Sequence, residues 1–130
     1  METTNQTEVL ELNQAFYRAF EKRDINSMAK LWFQGAGSLC IHPGGKVLKG
    51  WNEVRLSWEQ IFSHTDYIEI ETEIVTKEIG ERVAYIVAIE NVLQVNGDRR
   101  FEGLSMATNI FEKMAQKWYL IHHHGSPIIR

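Results

Sequence analysis

Three consecutive histidines, His122-His123-His124, lie within Trp118–Pro127, a segment whose apolar residues mark a strand. Strand side chains alternate between faces, so His122 and His124 are expected to point one way and His123 the other. Imidazoles titrate near neutrality and serve as acids, bases or metal ligands. With His42 joining His122 and His124, three ligands and an open position would suit catalytic zinc. The chain has no His-x-x-x-His helix, no thiolate cluster and no carboxylate at fixed spacing from these histidines. The expectation is therefore no metal and no cofactor, with the histidines bonded to one another, to Ser126 or to backbone at a pocket mouth.

A second candidate group is Glu90, an isolated carboxylate in the apolar run Val83–Val95. Proton-transfer chemistry at a carbonyl compound needs a base and hydrogen-bond donors aimed at the developing oxyanion. Glu90, His122 and His124 are the candidate catalytic groups, and Tyr17 and Asn109 the candidate donors. The competing role for Glu90 is a buried hydrogen bond or ion pair, since structural carboxylates are perturbed too. Cys40 sits in an apolar stretch with no activating neighbour and is expected to be a packed thiol.

These groups need elements to position them. Val9, Leu12, Phe16 and Ala19 recur at helical spacing over roughly residues 8–22. Asp24 is a plausible N-cap for a second helix with Ile25, Met28, Ala29 and Trp32 on one face. Ser38 to His42 is a short strand closed by Pro43-Gly44-Gly45, and a third helix near Trp51 carries Val54, Trp58, Ile61 and Phe62. The period then changes to two. Ile68, Ile70 and Ile74 alternate with Glu69, Glu71 and Glu73, whose row is expected to face solvent. Asn96-Gly97 predicts a type I′ hairpin between Val83–Val95 and a strand from about Asp98 to Glu112. The last strand covers residues 117–125. Helices first and antiparallel strands second make an α+β fold.

The hairpin sets which side chains share a face. Pairing Val95 with Asp98 puts Ala84, Ile86, Ala88 and Glu90 beside Gly103, Ser105, Ala107, Asn109 and Phe111. Pairing Phe111 with Trp118 adds Trp118, Leu120, His122 and His124 to that face and sends His123 outward. Small residues and isolated polar groups on the helix-covered side describe a ligand cavity. Tyr17, Trp32, His42 and Trp58 would approach it from the helices and loops. Ser105, Asn109, Trp118 and Ser126 would approach it from the sheet. The opposite face, with Tyr85, Val87, Ile89, Met106 and Ile110, is too apolar to stand in water. A homodimer through the outer sheet face would cover it.

The chain resembles the nuclear transport factor 2-like superfamily in its SnoaL-like branch. The residues that carry the resemblance are Ile41-His42-Pro43-Gly44-Gly45, Leu48-Lys49-Gly50, Trp58, Ala107-Thr108-Asn109-Ile110-Phe111, and Lys117-Trp118 through Pro127. The ending Trp118-x-x-Ile121-His122-x-His124-x-Ser126 is similar to the association domain of calcium/calmodulin-dependent kinase II. The resemblance implies a cone, a strongly curved antiparallel sheet wrapped around three N-terminal helices, with a deep pocket at its open end and frequent dimerisation through the outer face. It also implies a wide choice of activities, from isomerases, cyclases and dehydratases to plain pocket proteins. The arginines of the kinase association domain fall at Glu90 and Asn109 here, so a neutral or cationic ligand suits the lining better than an anion.

Length and composition narrow the choices. The 130 residues form one domain, and 44% hydrophobic content supports a packed core. A net charge of −3 with scattered Lys and Arg argues against nucleic-acid binding. No apolar run approaches a membrane span, no leader is visible, and the single Cys40 excludes an internal disulfide, so the cytoplasm is the expected compartment. Three functions follow. The leading one is a homodimeric pocket protein for a small, largely apolar molecule. The alternatives are a proton-transfer enzyme of isomerase, cyclase or dehydratase type, and an association module.

Overall fold

A computed structural model describes residues 2–129. In chain order the elements are α1 (Glu2–Lys22), α2 (Ile25–Leu31), β1 (Leu39–Ile41), β2 (Leu48–Lys49), α3 (Trp51–Ser63), β3 (Tyr67–Ile79), β4 (Val83–Asn96), β5 (Arg99–Met114) and β6 (Lys117–Pro127). The strands form one curved, unclosed sheet in the order β2-β1-β6-β5-β4-β3. Among the described strands only the β1–β6 pairing is parallel. The helices cover the inner face, as the α+β cone requires.

Local chemistry explains the helix boundaries. Asp24 caps α2, its Oδ1 accepting from the amides of Asn26 at 3.1 Å and Ser27 at 3.2 Å. Arg23, with φ of 54°, reverses the chain after α1, and the Asp24 amide bonds back to the Ala19 carbonyl at 3.1 Å. The second helix stops at Leu31, ahead of Gly35 and Gly37. Trp32 is extended instead and bridges in parallel to Leu120.

The β4–β5 turn lies one residue beyond its expected place. Gly97 and Asp98 are its centre, and Asn96 pairs with Arg99. Only Gly97 has a positive φ, 61°, the pattern of a type II′ turn rather than I′. The register therefore moves by two residues, and a two-residue shift keeps every side chain on its face. Ala84, Ile86, Ala88 and Glu90 are buried, as are Ala107, Asn109 and Phe111 across from them. The β5–β6 turn, Ala115-Gln116, has both φ values positive at 50° and 70°. It pairs Phe111 with Leu120, again a shift of two that leaves Trp118 and Leu120 inside.

One irregularity then reverses the expected outcome. Ile110 pairs with His122 while Phe111 pairs with Leu120, so Ile121 is an extra residue with no opposite number. This β-bulge inverts the parity of everything after it. His123 pairs with Asn109 on the inner face and is buried, whereas His122 and His124 pair with Ile110 and Thr108 on the outer face. The core packs Phe16, Trp58, Phe111, Ile86, Leu120 and Val54 between the helices and this inner face. The glutamates of β3 are exposed, as expected.

Candidate functional site

A cleft of about 450 Å³ opens on the inner face between β3, β4, β5 and β6. Its walls are mostly apolar: Phe20 from α1, Ile61 from α3, Ile68 and Ile70 from β3, Val92 from β4, and Phe101 and Leu104 from β5. The polar groups are few: Glu90, His123, His42, Ser105, Gln94 and Asn96. A mostly apolar concavity with a few convergent polar groups is the usual form of a small-molecule site. Small residues hold it open. A Cβ at Gly103 would stand 2.7 Å from the Phe101 ring, so that glycine lets the aromatic lie across the strand at the mouth. A Cβ at Gly125 would stand 3.1 Å from Pro43 Cγ, so this glycine admits the loop after β1 against β6.

Behind the cleft runs a continuous buried network. The Tyr17 hydroxyl donates to Glu90 Oε2 at 2.7 Å. Asn109 Nδ2 donates to the Tyr17 oxygen at 3.2 Å and to Asn13 Oδ1 at 2.9 Å. Asn109 Oδ1 lies 2.6 Å from His123 Nδ1. The helix supplies Asn13 and Tyr17 from one face, four residues apart, which is why both reach the same sheet residue. Burial pushes the Glu90 carboxyl above its ordinary range, against the downward pull of the Tyr17 hydrogen bond. Burial, and then the adjacent Glu90, hold the Tyr17 hydroxyl firmly protonated. Burial, with the neighbouring His42, His122 and His124, pushes His123 down to about 3. The site thus presents a neutral imidazole and a carboxyl biased toward its neutral form.

His42 flanks this network. Its Nε2 is 2.9 Å from Ser57 Oγ, which donates its own proton to the Val54 carbonyl at 2.6 Å. The serine oxygen must therefore accept, and His42 Nε2 must carry the proton. Burial lowers His42 to about 4. Trp58 packs edge-on against it at 4.8 Å between ring centroids and also contacts Phe16, Phe20 and Phe62. The Trp58 Nε1–H is buried without a hydrogen-bond partner among the described residues.

Comparison with known proteins agrees with this architecture. The SnoaL-like domain model matches residues 9–130. The chain belongs to the SnoaL-like domain family. A candidate dehydratase of the nuclear transport factor 2-like family from Streptomyces avermitilis is 28% identical, with both chains covered in full and a TM-score of 0.92. A candidate calcium/calmodulin-dependent protein kinase type II association domain from Thiobacillus denitrificans is 26% identical over 91% of this chain and 93% of that one, with a TM-score of 0.80. The F-box protein SKIP8 of Arabidopsis thaliana is 29% identical over 93% of the chain, and the chain spans half of that protein's length.

Within this SnoaL-like fold, several expected site residues fall elsewhere. His122 and His124 are on the outer face, their rings 6.2 Å apart, and His122 is lowered by partial burial and by His124. The Ile121 bulge that put them there also turns Ser126 outward, where it is exposed. Trp118 is inside but distant from the cleft, with Nε1 donating to Asn5 Oδ1 at 3.2 Å. That same Asn5 begins the sequon-like Asn5-Gln6-Thr7, and it is buried in α1. Trp32 packs on Trp51 and borders a separate hollow with Lys30, Phe33 and Tyr119 that presents no carboxylate or imidazole. The structure does bring together Glu90, His42 and Ser105 in the cleft wall, with Tyr17, Asn109 and Trp58 directly behind. Cys40 is buried, and burial raises its thiol.

The residues missed from sequence are His123, Asn13, Phe20, Gln94 and Phe101. Asn13 had a usable signal: it is a polar residue between Val9, Phe16 and Tyr17 on the buried stripe of α1. Among the described residues no three His, Cys, Asp or Glu side chains gather closely enough to hold a metal ion. No helix of the described residues is long and apolar enough to cross a membrane.

Proposed function

We propose that this SnoaL-like domain binds a small, largely apolar, uncharged molecule in the cleft above Glu90 and His123. The observation that supports this best is the contrast inside the cleft: a wall of Ile, Val, Leu and Phe surrounds two titratable groups that burial biases toward neutrality. An ion entering this wall would meet little compensation for lost hydration. A thermal-shift titration with small alcohols, ketones and carboxylic acids tests the reading. Uncharged members should raise the melting temperature, and Ser105→Phe, which fills the cleft, should remove the response. No shift in the natural protein, or an equal shift in the filled variant, would sink it.

A second reading has a specific observation behind it. Glu90 and His123 are joined by three hydrogen bonds through Tyr17 and Asn109, an arrangement suited to an acid and a base working on one substrate. Likeness to a candidate dehydratase supports proton-transfer chemistry on a small carbonyl compound. Exchange of α-hydrogens of a small ketone for solvent deuterium should then be faster than in buffer and should vanish in Glu90→Gln. Exchange at the buffer rate would exclude this reading without touching the first.

We also propose that a second copy covers the outer sheet face, as half-buried Val87, Ile89, Met106 and Ile110 favour. Tyr85→Glu should convert a dimer to a monomer in sedimentation. The single, buried thiol of Cys40 suits a reducing compartment such as the cytoplasm.

A further inference from the structure

The hydrogen bonds behind the cleft have directions, and those directions fix what the cleft offers. Tyr17 has one proton, and it goes to Glu90 Oε2. Its oxygen therefore accepts, and what faces it is Asn109 Nδ2. The same Nδ2 also meets the carbonyl oxygen of Asn13. Both contacts require the nitrogen of the Asn109 amide on that side, so Oδ1 faces His123. An amide oxygen only accepts, hence the proton of the neutral His123 ring resides on Nδ1 and Nε2 is a bare lone pair. That Nε2 receives no hydrogen bond among the described residues. It points toward Gly125, where a Cβ would stand 3.9 Å away, beside the Pro43 ring at the cleft wall.

His42 and Gln94 offer acceptors as well. His42 has committed its Nε2–H to Ser57, which leaves Nδ1 as an acceptor. Gln94 spends one N–H on Thr65 Oγ1 at 2.9 Å and has its carbonyl oxygen as an acceptor. Glu90 Oε2 already accepts from Tyr17, and the neutral carboxyl has one O–H of its own to donate. Of the groups lining the wall, the Ser105 hydroxyl is a donor that can turn either way. The two imidazoles therefore offer acceptors, while Ser105 and the neutral Glu90 carboxyl can donate.

We infer that the cleft takes a small uncharged molecule bearing a hydroxyl or N–H group, whose proton is received by His123 Nε2, with Asn109 acting as the positioning residue that sets the imidazole tautomer. This rests on the cleft being a ligand site. It adds the polarity of the ligand: an alcohol, phenol or amide N–H is preferred to an ether or ketone of the same shape. A ligand that lacks the donor leaves a buried acceptor unpaired, which sites of this kind discriminate against strongly.

Phenol and anisole make the comparison, since they share a ring and differ in the O–H. The protein, labelled with ¹⁵N in its histidine rings, is titrated with each, and the His123 signals are assigned by their loss in His123→Phe. The free protein should show a protonated Nδ1 and a bare Nε2. Phenol should move the Nε2 resonance and bind at least about tenfold more tightly than anisole, the worth of one good hydrogen bond. His123→Phe should bring the two affinities together. A protonated Nε2 in the free protein overturns the inference, and so does anisole binding as tightly as phenol while the cleft reading stands. Binding of neither compound overturns both. The tautomer measurement on the natural protein holds even if His123→Phe fails to fold.

Discussion

Helix α1 carries polar side chains into the interior at two places, and the two are built differently. Near its start, Asn5 Oδ1 accepts from both Trp118 Nε1 and Lys113 Nζ, at 3.2 and 3.0 Å. That arrangement is closed around its acceptor: both donors converge on one amide oxygen, and the Trp118 indole is buried. Near its end, Asn13 and Tyr17 join Glu90, Asn109 and His123, and the chain of bonds terminates in groups that line a cleft. Both places obey the rule that buried polar groups find partners. Only the second has acceptors left over. Leftover capacity beside an empty volume distinguishes a site from a structural tie.

The largest expected effect comes from breaking the hub of the second network. Asn109→Leu keeps the volume but leaves His123 Nδ1, Tyr17 and Asn13 without their partner. Stability measured by urea denaturation should fall by roughly 3 kcal/mol, the sum of partly coupled desolvation losses. A loss under about 1 kcal/mol would mean that the network is not taut.

Acid sharpens the comparison next. His123 has its folded-state pKa depressed to about 3 from an ordinary 6.5, so its contribution is full above pH 6.5 and is lost as pH falls toward 3. The natural protein should therefore lose stability across that window. His123→Phe should reduce the difference between pH 7 and pH 4 by about 2 kcal/mol, with His42 accounting for part of what remains. An unchanged difference would assign the acid loss to other groups.

At the closed end, Asn5→Ala should cost about 1 kcal/mol through the unpaired Trp118 N–H. It should leave phenol affinity unchanged, since the cleft is elsewhere. A change in affinity would erase the distinction between the two ends. The smallest effect has the opposite sign. The folded-state pKa of Glu90 is raised, so its contribution is present below about pH 4.5 and is lost as pH rises through the folded value. Glu90→Gln should thus be more stable than the natural protein at pH 7, by about 1 kcal/mol or less, and equal to it near pH 4. A destabilised Glu90→Gln at pH 7 would make Glu90 a structural residue like Asn5.

Much of this was legible before the structure. The registers of two hairpins each differ by two from the sequence reading, and parity protects the result, because an even slip leaves every side chain on its face. The inner positions of Glu90, Ser105 and Asn109 survived for that reason. The histidines did not survive, because a bulge is an odd slip and Ile121 looks like any other strand isoleucine. Nothing in its side chain announces that its backbone is unpaired. Trp32 and Trp118 misled for a different reason: an indole on an inner face belongs equally to a core or a cavity until the other wall is placed. The small strand β2 escaped notice because two residues carry no period.

That unpaired Ile121 amounts to a frame shift written in side chains. Taking Ile121 back into the ladder opposite Ile110 would exchange the lining contributed by the end of β6, sending His123 outward and bringing His122 and His124 to the inner face, with no substitution at any of them. Deletion of Ile121 would instead leave His123 opposite Asn109, so the bulge absorbs a one-residue change of length without changing which imidazole faces the cleft. Which histidine serves the cleft is thus a property of the strand's register, not of the three side chains.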